Sequence, residues 1–297
     1  MKLGMYYTPA YATTDSPLYA RLAVAASKLQ RLGLVETLVP PLLDTDCLRG
    51  LHSDAYLDAF LQGRGTLASS QGIAWTPAIR DAVLAMLAGQ LAGASHALQH
   101  GLAMNLARGF HHAVRERGGG YCAINGLALV AAQHPRLRVF VLDCDEHGGN
   151  GTEEFAAELP NLYAMSIFGS RYGCNGGVRS QAAQVHVRAQ GFARYAEALD
   201  QAFAWMDVVK PDLALYQAGT DCHWRDPKSR VGLSTRELFW RDQRVFAGLR
   251  QRGIPVLFVV AGGYQAAENI ARLNANTVRA ARFSHLFPVR SDWALPH

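Results

Sequence analysis

Apolar runs that end in acidic residues or glycines recur along the sequence and predict a sheet of buried parallel strands. Three such runs cover residues 138–142, 211–217 and 254–261; the first two lead into acidic residues and the third into Gly-Gly-Tyr. Uninterrupted runs of β-branched, aromatic and other apolar residues are typical of strands buried on both faces of a parallel sheet. The polar residues after each run would then lie in loops at one edge of that sheet.

Segments with the periodicity of amphipathic helices lie between the strand-like runs. Apolar residues recur at helical spacing over residues 18–32, and an alanine-rich segment covers residues 77–101. Residues 191–209 and 236–252 have helical periodicity as well, and Ser234 is placed to cap the second of these helices. Proline in the first turn and glycine after the last turn are common helix boundaries, and both occur here.

Strand-like and helix-like segments alternate to the end of the sequence. Further strand-like runs cover residues 3–7, 34–39 and 161–168, and no internal repeat or low-complexity linker interrupts the alternation. At 297 residues and 49% hydrophobic content, the chain can bury a large core. We therefore expect one domain over residues 1–297, a three-layer α/β/α fold with a mostly parallel central sheet.

The composition argues against several classes of protein. No apolar run approaches the roughly 18 residues of a membrane-spanning helix, and no basic-then-apolar leader begins the sequence, so we expect a cytoplasmic protein. Five cysteines lack any Cys-x-x-Cys pairing, and their odd number argues against a disulfide framework. The net charge is +5, but the arginines are scattered, so we expect no specific nucleic-acid partner. The sequence does not determine the oligomeric state.

The run at residues 138–142 leads into the segment that is richest in candidate chemistry. Asp145 and His147 are two positions apart, so in an extended backbone their side chains point to the same side, together with Asp143. One oxygen and one nitrogen donor suit a zinc-type ion, and a catalytic zinc normally takes three protein ligands. Asp221, which follows the next comparable run, is the candidate for the third ligand.

An isolated Asp-x-His sequence also fits a helix-capping aspartate and a histidine hydrogen-bonded in a loop. Other polar residues at strand or loop ends favour a site: adjacent His111 and His112 in a glycine-flanked segment, and Tyr264 after two glycines. In an extended backbone adjacent histidines point to opposite sides, so both cannot bind one metal, but each can hold a proton. His52 has no comparable neighbours, and we expect it to be structural.

Four ordered motifs resemble those of the arginase-like histone deacetylase superfamily, whose members are zinc amidohydrolases that remove acyl groups from lysine or polyamine nitrogens. The similarity covers nearly the whole chain, and within the superfamily the sequence is most similar to class IV histone deacetylases. It implies the arginase/deacetylase-like α/β fold. The motifs occupy residues 109–113, 143–151, 218–221 and 262–264.

The resemblance implies a zinc-dependent hydrolysis of an amide and a role for each candidate residue. One zinc ion would be held by Asp145, His147 and Asp221 and would polarise the amide carbonyl. His112 would be the general base and the acid for the departing amine, and His111 would mainly contribute charge. The supporting residues would be Asp143 and Asn150, which orient the two imidazoles, and Tyr264, which donates to the oxyanion.

The resemblance also implies a substrate channel and a second cation site. Gly120 and Tyr121 would line the channel for the acyl-bearing stem. The loop at residues 171–175 lacks the aromatic-proline-glycine pattern of the family, and Gly148 stands where class I and II members have a second histidine. A monovalent cation, potassium, would be bound by Asp143, Ser166 and the backbone at Asp145, His147 and Ile167.

Several functions remain compatible with the sequence. We expect removal of an acetyl or longer acyl group from acylated lysine in a peptide or protein. The alternative is an acetylpolyamine deacetylase, and a more remote one is a non-catalytic module that binds acylated amines. An arginase-like enzyme with two manganese ions would need additional ligands where Gly148 and Gly149 stand.

Overall fold

The computed structural model describes residues 2–286, with side chains to residue 284, and contains eight strands and nine α-helices in that range. The predicted domain over residues 1–297 extends beyond this range at both ends. The strands are β1 Leu3–Tyr6, β2 Val35–Leu38, β3 Leu102–Asn105, β4 Val139–Asp143, β5 Leu162–Phe168, β6 Ser180–Gln184, β7 Leu213–Gln217 and β8 Val256–Val259. The helices are α1 Pro17–Arg31, α2 Asp54–Gln62, α3 Pro77–His100, α4 Gly126–Gln133, α5 Asn150–Glu158, α6 Val187–Gln190, α7 Phe192–Val209, α8 Thr235–Gln251 and α9 Ala267–Leu286.

The eight strands form one sheet in the order β2-β1-β3-β8-β7-β4-β5-β6, and every neighbouring pair is parallel. Helices α1, α9, α8 and α7 pack side by side, and α3, α4 and α5 form a second group. The predicted α/β fold with a central sheet is confirmed, and the sheet is wholly rather than mostly parallel.

Burial explains which strands the sequence pattern predicts. Strands β4, β7 and β8 are buried at every position, as continuous apolar runs require. The pattern does not predict β3, which has only four residues and directly follows α3, or β6, a polar strand at the edge of the sheet. Helix α4 is also not predicted, because its mostly buried residues are apolar on all sides and show no amphipathic period.

The long helix α3 has local signals at both ends. The Thr76 hydroxyl accepts a hydrogen bond from the N–H of Ile79 at 3.1 Å, and Gly101 ends the helix in the left-handed conformation. Among the helices of residues 2–286, none combines the length and apolar character that crossing a lipid bilayer requires.

Candidate active site and metal centre

Loops after five neighbouring strands meet at one edge of the sheet. The strands are β3, β8, β7, β4 and β5, adjacent in that order. Carboxyl ends of parallel strands lie at the same edge, which is where open α/β sheets place their binding sites. The loop after β3 carries His111 and His112, the loop after β8 carries Tyr264, and the loop after β7 carries Asp221. The segment after β4 carries Asp145, His147 and Asn150, and the loop after β5 carries Tyr172.

Asp145, His147 and Asp221 form a compact group of possible metal ligands, which we call the Asp-His-Asp triad. Their donor atoms all lie within 4.8 Å of one another. Nδ1 of His147 is 3.2 Å from Oδ1 of Asp145 and 3.4 Å from Oδ2 of Asp221. The structure thus brings together the three residues that the sequence analysis selects as zinc ligands, and their binding of zinc remains a prediction.

Two glycines let the carboxylates of the triad lie against the backbone. A Cβ atom at Gly262 would be 2.5 Å from Oδ2 of Asp145 and would also overlap the carboxylate of Asp221. A Cβ atom at Gly219 would be 2.8 Å from Oδ2 of Asp145 and 2.8 Å from Oδ1 of Asp221. Real Cβ atoms do not approach other atoms this closely, so both positions require glycine.

The charges of the triad suit a bound cation. Asp221 is fully buried, and its Oδ2 accepts no well-aligned hydrogen bond within residues 2–284. Burial raises the pKa of Asp221 to about 6, and the charge of Asp145 adds to this effect. Burial alone would lower the pKa of His147, but the neighbouring carboxylates raise it to about 10. Two oxygen donors and one nitrogen donor in such a setting fit zinc.

His111 and His112 lie on the same side of the backbone, so the prediction that they point to opposite sides is wrong. Their ring centroids are 3.9 Å apart at an interplanar angle of 39°. The segment is a turn rather than an extended chain, and Phe110 within it has a φ of 61°. Both rings therefore approach the triad: Nε2 of His111 is 3.9 Å from Oδ1 of Asp145, and the ring of His112 is 5.9 Å from that of His147.

The two histidines differ in their hydrogen-bond partners. Nδ1 of His111 is 2.6 Å from Oδ2 of Asp143, and Nδ1 of His112 is 2.7 Å from Oδ1 of Asn150. Both oxygens are acceptors, so each Nδ1 carries a proton. Burial alone would lower the pKa of His111, but Asp143 and Asp145 raise it. Burial and the charge of His111 hold the pKa of His112 well below its usual range, which favours a neutral ring.

Tyr264 lies beside the triad on the loop after β8. Its ring centroid is 6.2 Å from that of His147. Its backbone N–H donates to Oδ2 of Asp226 at 2.7 Å, and the guanidinium of Arg108 lies beside its phenol. The phenol is thus placed to donate a hydrogen bond near the triad. Asp226, which holds the backbone of Tyr264, is a positioning residue that the sequence analysis does not predict.

An open cleft of about 510 Å³, which we call the outer cleft, leads from the surface to these groups. Its wall includes His112, His147 and Tyr264. The structure also places Gly120 and Tyr121, the two residues predicted to line a substrate channel, in this wall. A substrate that enters the outer cleft therefore reaches the triad, the neutral histidine and the phenol together.

Three further residues of the outer cleft are not predicted from the sequence. The ring of Tyr172 lies 4.1 Å from that of His112, so the loop at residues 171–175 contributes to the wall although it lacks the family's aromatic-proline-glycine pattern. Arg117 and Lys228 are exposed residues that also line the cleft. No local pattern distinguishes these three residues from ordinary surface residues, because only the tertiary fold brings their loops together.

Of the residues predicted to bind potassium, Asp145 and His147 belong to the triad, and the other three lie on the neighbouring strands β4 and β5. Asp143 of β4 and Ser166 of β5 are register partners, and Ile167 is the next residue of β5. Oγ of Ser166 accepts a hydrogen bond from the N–H of Gly149 at 3.2 Å, and Oδ1 of Asp143 accepts one from the N–H of Asp145 at 3.1 Å. These contacts identify no ion, and potassium binding remains a prediction.

The comparison with known protein families decides the family. The profile of the histone deacetylase domain matches residues 18–281. This chain belongs to the histone deacetylase domain family. As a member of that family, it is a hydrolase of the deacetylase or deacylase kind. The resemblance to histone deacetylases that the sequence motifs indicate is confirmed at the family level.

Relatives of this deacetylase-family protein carry names that refer to different substrates. Histone deacetylase 2 of Arabidopsis thaliana is 29% identical over 301 residues, which cover 94% of this chain and 76% of that protein. Acetylpolyamine amidohydrolase 1 of Pseudomonas aeruginosa is 27% identical over 172 residues, covering 52% of this chain and 48% of that protein. An uncharacterized protein of a Picosynechococcus species is 29% identical over 249 residues, covering 78% of this chain and 79% of that protein.

A solved structure supports the fold of this deacetylase-family protein. The crystal structure of acetylpolyamine aminohydrolase from Burkholderia pseudomallei matches it with a TM-score of 0.81, covering 94% of this chain and 98% of that chain. The sequence identity is 20%, so this likeness shows the arginase/deacetylase-like fold. Family membership alone leaves open which acylated amine is the substrate.

Proposed function

We propose that this protein is a zinc-dependent amidohydrolase that removes the acyl group from acylated lysine in a peptide or protein. The observation that carries the proposal is the position of the Asp-His-Asp triad beside His112 and Tyr264 at the outer cleft. A metal-ligand set, a proton acceptor and a hydrogen-bond donor around one point are the groups that amide hydrolysis needs.

The Asp-His-Asp triad would hold the zinc ion. When bound, zinc supplies a Lewis acid that polarises the amide carbonyl and makes water more acidic. The donor set, the unpartnered Oδ2 of Asp221 and the glycines beside the carboxylates support this assignment. Two carboxylates partly neutralise the charge of a divalent ion, so we expect a side chain of the protein to accept the proton of the attacking water.

His112 is placed to move that proton. Its Nδ1–H donates to Asn150, which leaves the lone pair of Nε2 available. In the hydrolysis, the water oxygen bonds to the carbonyl carbon, the C–N bond breaks, and the nitrogen leaves with a proton. Nε2 of His112 accepts the proton from the water and returns it to the departing nitrogen, so the products are a carboxylic acid and an amine.

Two other side chains would stabilise the charge that develops during the reaction. The phenol of Tyr264 donates to the carbonyl oxygen as that atom becomes negative. Asp143 and Asp145 raise the pKa of His111, and the protonated ring adds positive charge beside His112. Burial and this charge hold the pKa of His112 well below its usual range, which favours a neutral ring that can accept a proton.

The charges at the outer cleft favour acylated lysine over an acylated polyamine. Arg117 and Lys228 line the cleft, and its described lining includes no aspartate or glutamate. Neither cation forms an ion pair with a carboxylate in the described part of the chain. A polyamine carries further ammonium groups that these side chains would repel, whereas an acylated lysine is neutral at the reacting end. The names of the relatives that act on acetylpolyamines favour the alternative substrate, an acetylpolyamine.

A direct comparison of substrates tests the proposal. We expect zinc-loaded protein to hydrolyse an acetyl-lysine peptide with a higher kcat/KM than acetylputrescine, measured by release of the free amine. Lys228→Glu should lower the ratio of kcat/KM for the peptide to kcat/KM for acetylputrescine, because it replaces a charge that repels the polyamine with one that attracts it. A ratio that favours acetylputrescine in the wild type would establish the polyamine alternative, and no hydrolysis of either substrate would refute the amidohydrolase.

Replacing Tyr264 tests the arrangement of the site. Tyr264→Phe should fold and bind zinc but hydrolyse the peptide about 10²- to 10³-fold more slowly, because it lacks the donor to the oxyanion. The measurements are zinc content by elemental analysis and kcat. The matched control is Tyr163→Phe, a half-buried tyrosine of β5 that packs on Trp205, which should keep wild-type turnover. Equal turnover in the two variants would remove Tyr264 from the mechanism.

A further inference from the structure

One of the buried arginines has two nitrogen atoms without hydrogen-bond partners. Arg21, Arg108 and Arg241 are the arginines buried by nine-tenths or more within residues 2–284. Arg241 donates to an adjacent carboxylate and to two backbone carbonyls, and Arg21 donates to three backbone carbonyls. In contrast, Nε and Nη1 of Arg108 have no partner, although the residue is only 5% exposed.

The neighbours of Arg108 are phenol, thiol and guanidinium groups, and the phenol of Tyr264 forms a side-chain hydrogen bond with it. Tyr19 and Arg21 are its neighbours on α1, and the hydroxyl of Tyr19 is also buried without a partner. No carboxylate forms an ion pair with Arg108 in the described structure. We call Arg108 and Tyr19 the inner donor cluster. A guanidinium stays protonated, so this cluster combines a fixed positive charge with unused N–H and O–H groups, and an anion would satisfy both.

The position of Arg108 beside Tyr264 indicates which part of the substrate would meet the inner donor cluster. Tyr264 contacts the outer cleft, whereas Arg108 lies beside its phenol but does not line that cleft. If the proposed function holds, the amine part of the substrate occupies the outer cleft and the carbonyl oxygen faces Tyr264. The acyl chain then continues inward, away from the cleft, toward Arg108.

We propose that the inner donor cluster recognises the far end of the acyl group and that the enzyme prefers acyl groups ending in a carboxylate, such as malonyl or succinyl. This inference rests on the proposed function and specifies its acyl substrate. Nε and Nη1 of Arg108 donate to the carboxylate oxygens, and the hydroxyl of Tyr19 provides a further donor. An apolar acyl chain of the same shape leaves these donors unsatisfied.

Pairs of acyl groups with equal shape test this preference. Succinyl-lysine is compared with 4-methylpentanoyl-lysine, and malonyl-lysine with 3-methylbutanoyl-lysine, in the same peptide, with acetyl-lysine as the reference. In each pair a carboxylate is replaced by an isopropyl group, so the difference reports charge and hydrogen bonding rather than size. We expect the carboxylate member of at least one pair to have the higher kcat/KM by about tenfold or more, the effect of a charge-assisted hydrogen bond.

Two substitutions assign the preference to Arg108. Methionine is similar in length to arginine but has no hydrogen-bond donors. Arg108→Met should therefore lower the ratio of kcat/KM between the carboxylate and isopropyl members of that pair by about tenfold or more, and Arg108→Lys should retain part of the preference. Arg117→Met removes a cation from the outer cleft instead, and should leave the ratio unchanged. An equal loss for every acyl group in Arg108→Met would mean that Arg108 only positions Tyr264, and would overturn the proposal.

Binding of the free acids provides a measurement that does not depend on turnover. Succinate should bind the wild-type protein about tenfold or more tightly than 4-methylpentanoate in isothermal titration calorimetry, and this result remains accessible if Arg108→Met does not fold. Equal affinities, together with equal rates within both pairs, would refute the acyl preference while leaving the hydrolysis of acetyl-lysine intact. Failure to hydrolyse any acyl-lysine would instead refute the proposed function.

Discussion

The partners of each ring nitrogen decide what the buried histidines of this protein can do. Nδ1 of His52 lies 2.9 Å from the carbonyl oxygen of Val114, and its Nε2 accepts a hydrogen bond from the N–H of Asn125 at 3.1 Å. A ring that donates at Nδ1 and accepts at Nε2 is neutral. His52 thus ties three chain segments together, in keeping with the structural role expected from the sequence, whereas His112 keeps its Nε2 free at the cleft.

The pH dependence of stability should report His52. Burial lowers the pKa of His52 to about 4, compared with about 6.5 in the unfolded chain. Between these values the unfolded state binds more protons, so the contribution of His52 to the free energy of unfolding is lost as the pH falls from about 6.5 to about 4. The loss approaches about 3 kcal/mol. Denaturant unfolding at several pH values measures it.

Two variants separate this contribution from other titrating groups. His52→Gln should have a smaller decrease in unfolding free energy between pH 6.5 and 4 than the wild type, because glutamine does not titrate. His186→Gln, at the partly buried residue just before α6, should follow the wild-type curve. Parallel curves for the wild type and His52→Gln would show that His52 is not held neutral in the fold.

Helix α8 fixes the two loops that carry the carboxylates of the triad. Arg241 of α8 is fully buried, and its Nη1 donates to the carbonyl of Cys144 at 3.0 Å and to that of Gly219 at 2.8 Å. These carbonyls lie next to Asp145 and two residues before Asp221. The helix begins with a capping box between Ser234 and Glu237, as the sequence predicts for Ser234.

The cap of α8 should contribute measurably to stability. The Ser234 hydroxyl accepts a hydrogen bond from the N–H of Glu237 at 3.2 Å, so Ser234→Ala should lower the free energy of unfolding by about 1 kcal/mol. Ser53→Ala is the matched control, because Ser53 precedes α2 without a capping hydrogen bond from its side chain. Equal destabilisation of the two variants in urea titrations would contradict the role of the cap.

At the scale of the whole molecule, the candidate site joins parts of the chain that are far apart in sequence. Its residues come from loops after five adjacent strands, and the strand order β3-β8-β7-β4-β5 is not the order of the sequence. A metal ion in the Asp-His-Asp triad would connect the loops after β4 and β7 directly. Metal binding should therefore stabilise the whole fold and not only one loop.

Removing zinc should lower the melting temperature. A ligand at 100 times its Kd contributes about 2.7 kcal/mol to the folded state, which corresponds to roughly 4 °C for a protein of this size. Thermal unfolding with excess zinc and with a chelator measures the difference. Asp221→Ala should show little response to zinc, whereas Asp226→Ala, which removes a buried carboxylate outside the triad, should respond like the wild type. A zinc-dependent shift that survives in Asp221→Ala would exclude Asp221 as a ligand.

Local patterns predict most of the sheet and the candidate residues of the site. The buried strands β4, β7 and β8 are predictable from the sequence, because their apolar runs do not depend on distant residues. The short strand β3 and the polar edge strand β6 are not, because pairing with neighbours rather than composition makes them strands. The directions of His111 and His112 also depend on a turn with a positive φ at Phe110, which the sequence does not reveal.

Local sequence is sufficient to show which side chains are available at strand ends, because strand and helix periodicity are properties of neighbouring residues. It therefore selected the Asp-His-Asp triad, His112 and Tyr264 before their positions were known. The positions of Arg117 and Lys228 at the outer cleft, and the burial of Arg108 beside Tyr264 with two unpartnered nitrogen atoms, follow from the folded arrangement alone. The physical reason is that burial and long-range contact depend on how the strands are ordered in the sheet, which no local pattern encodes.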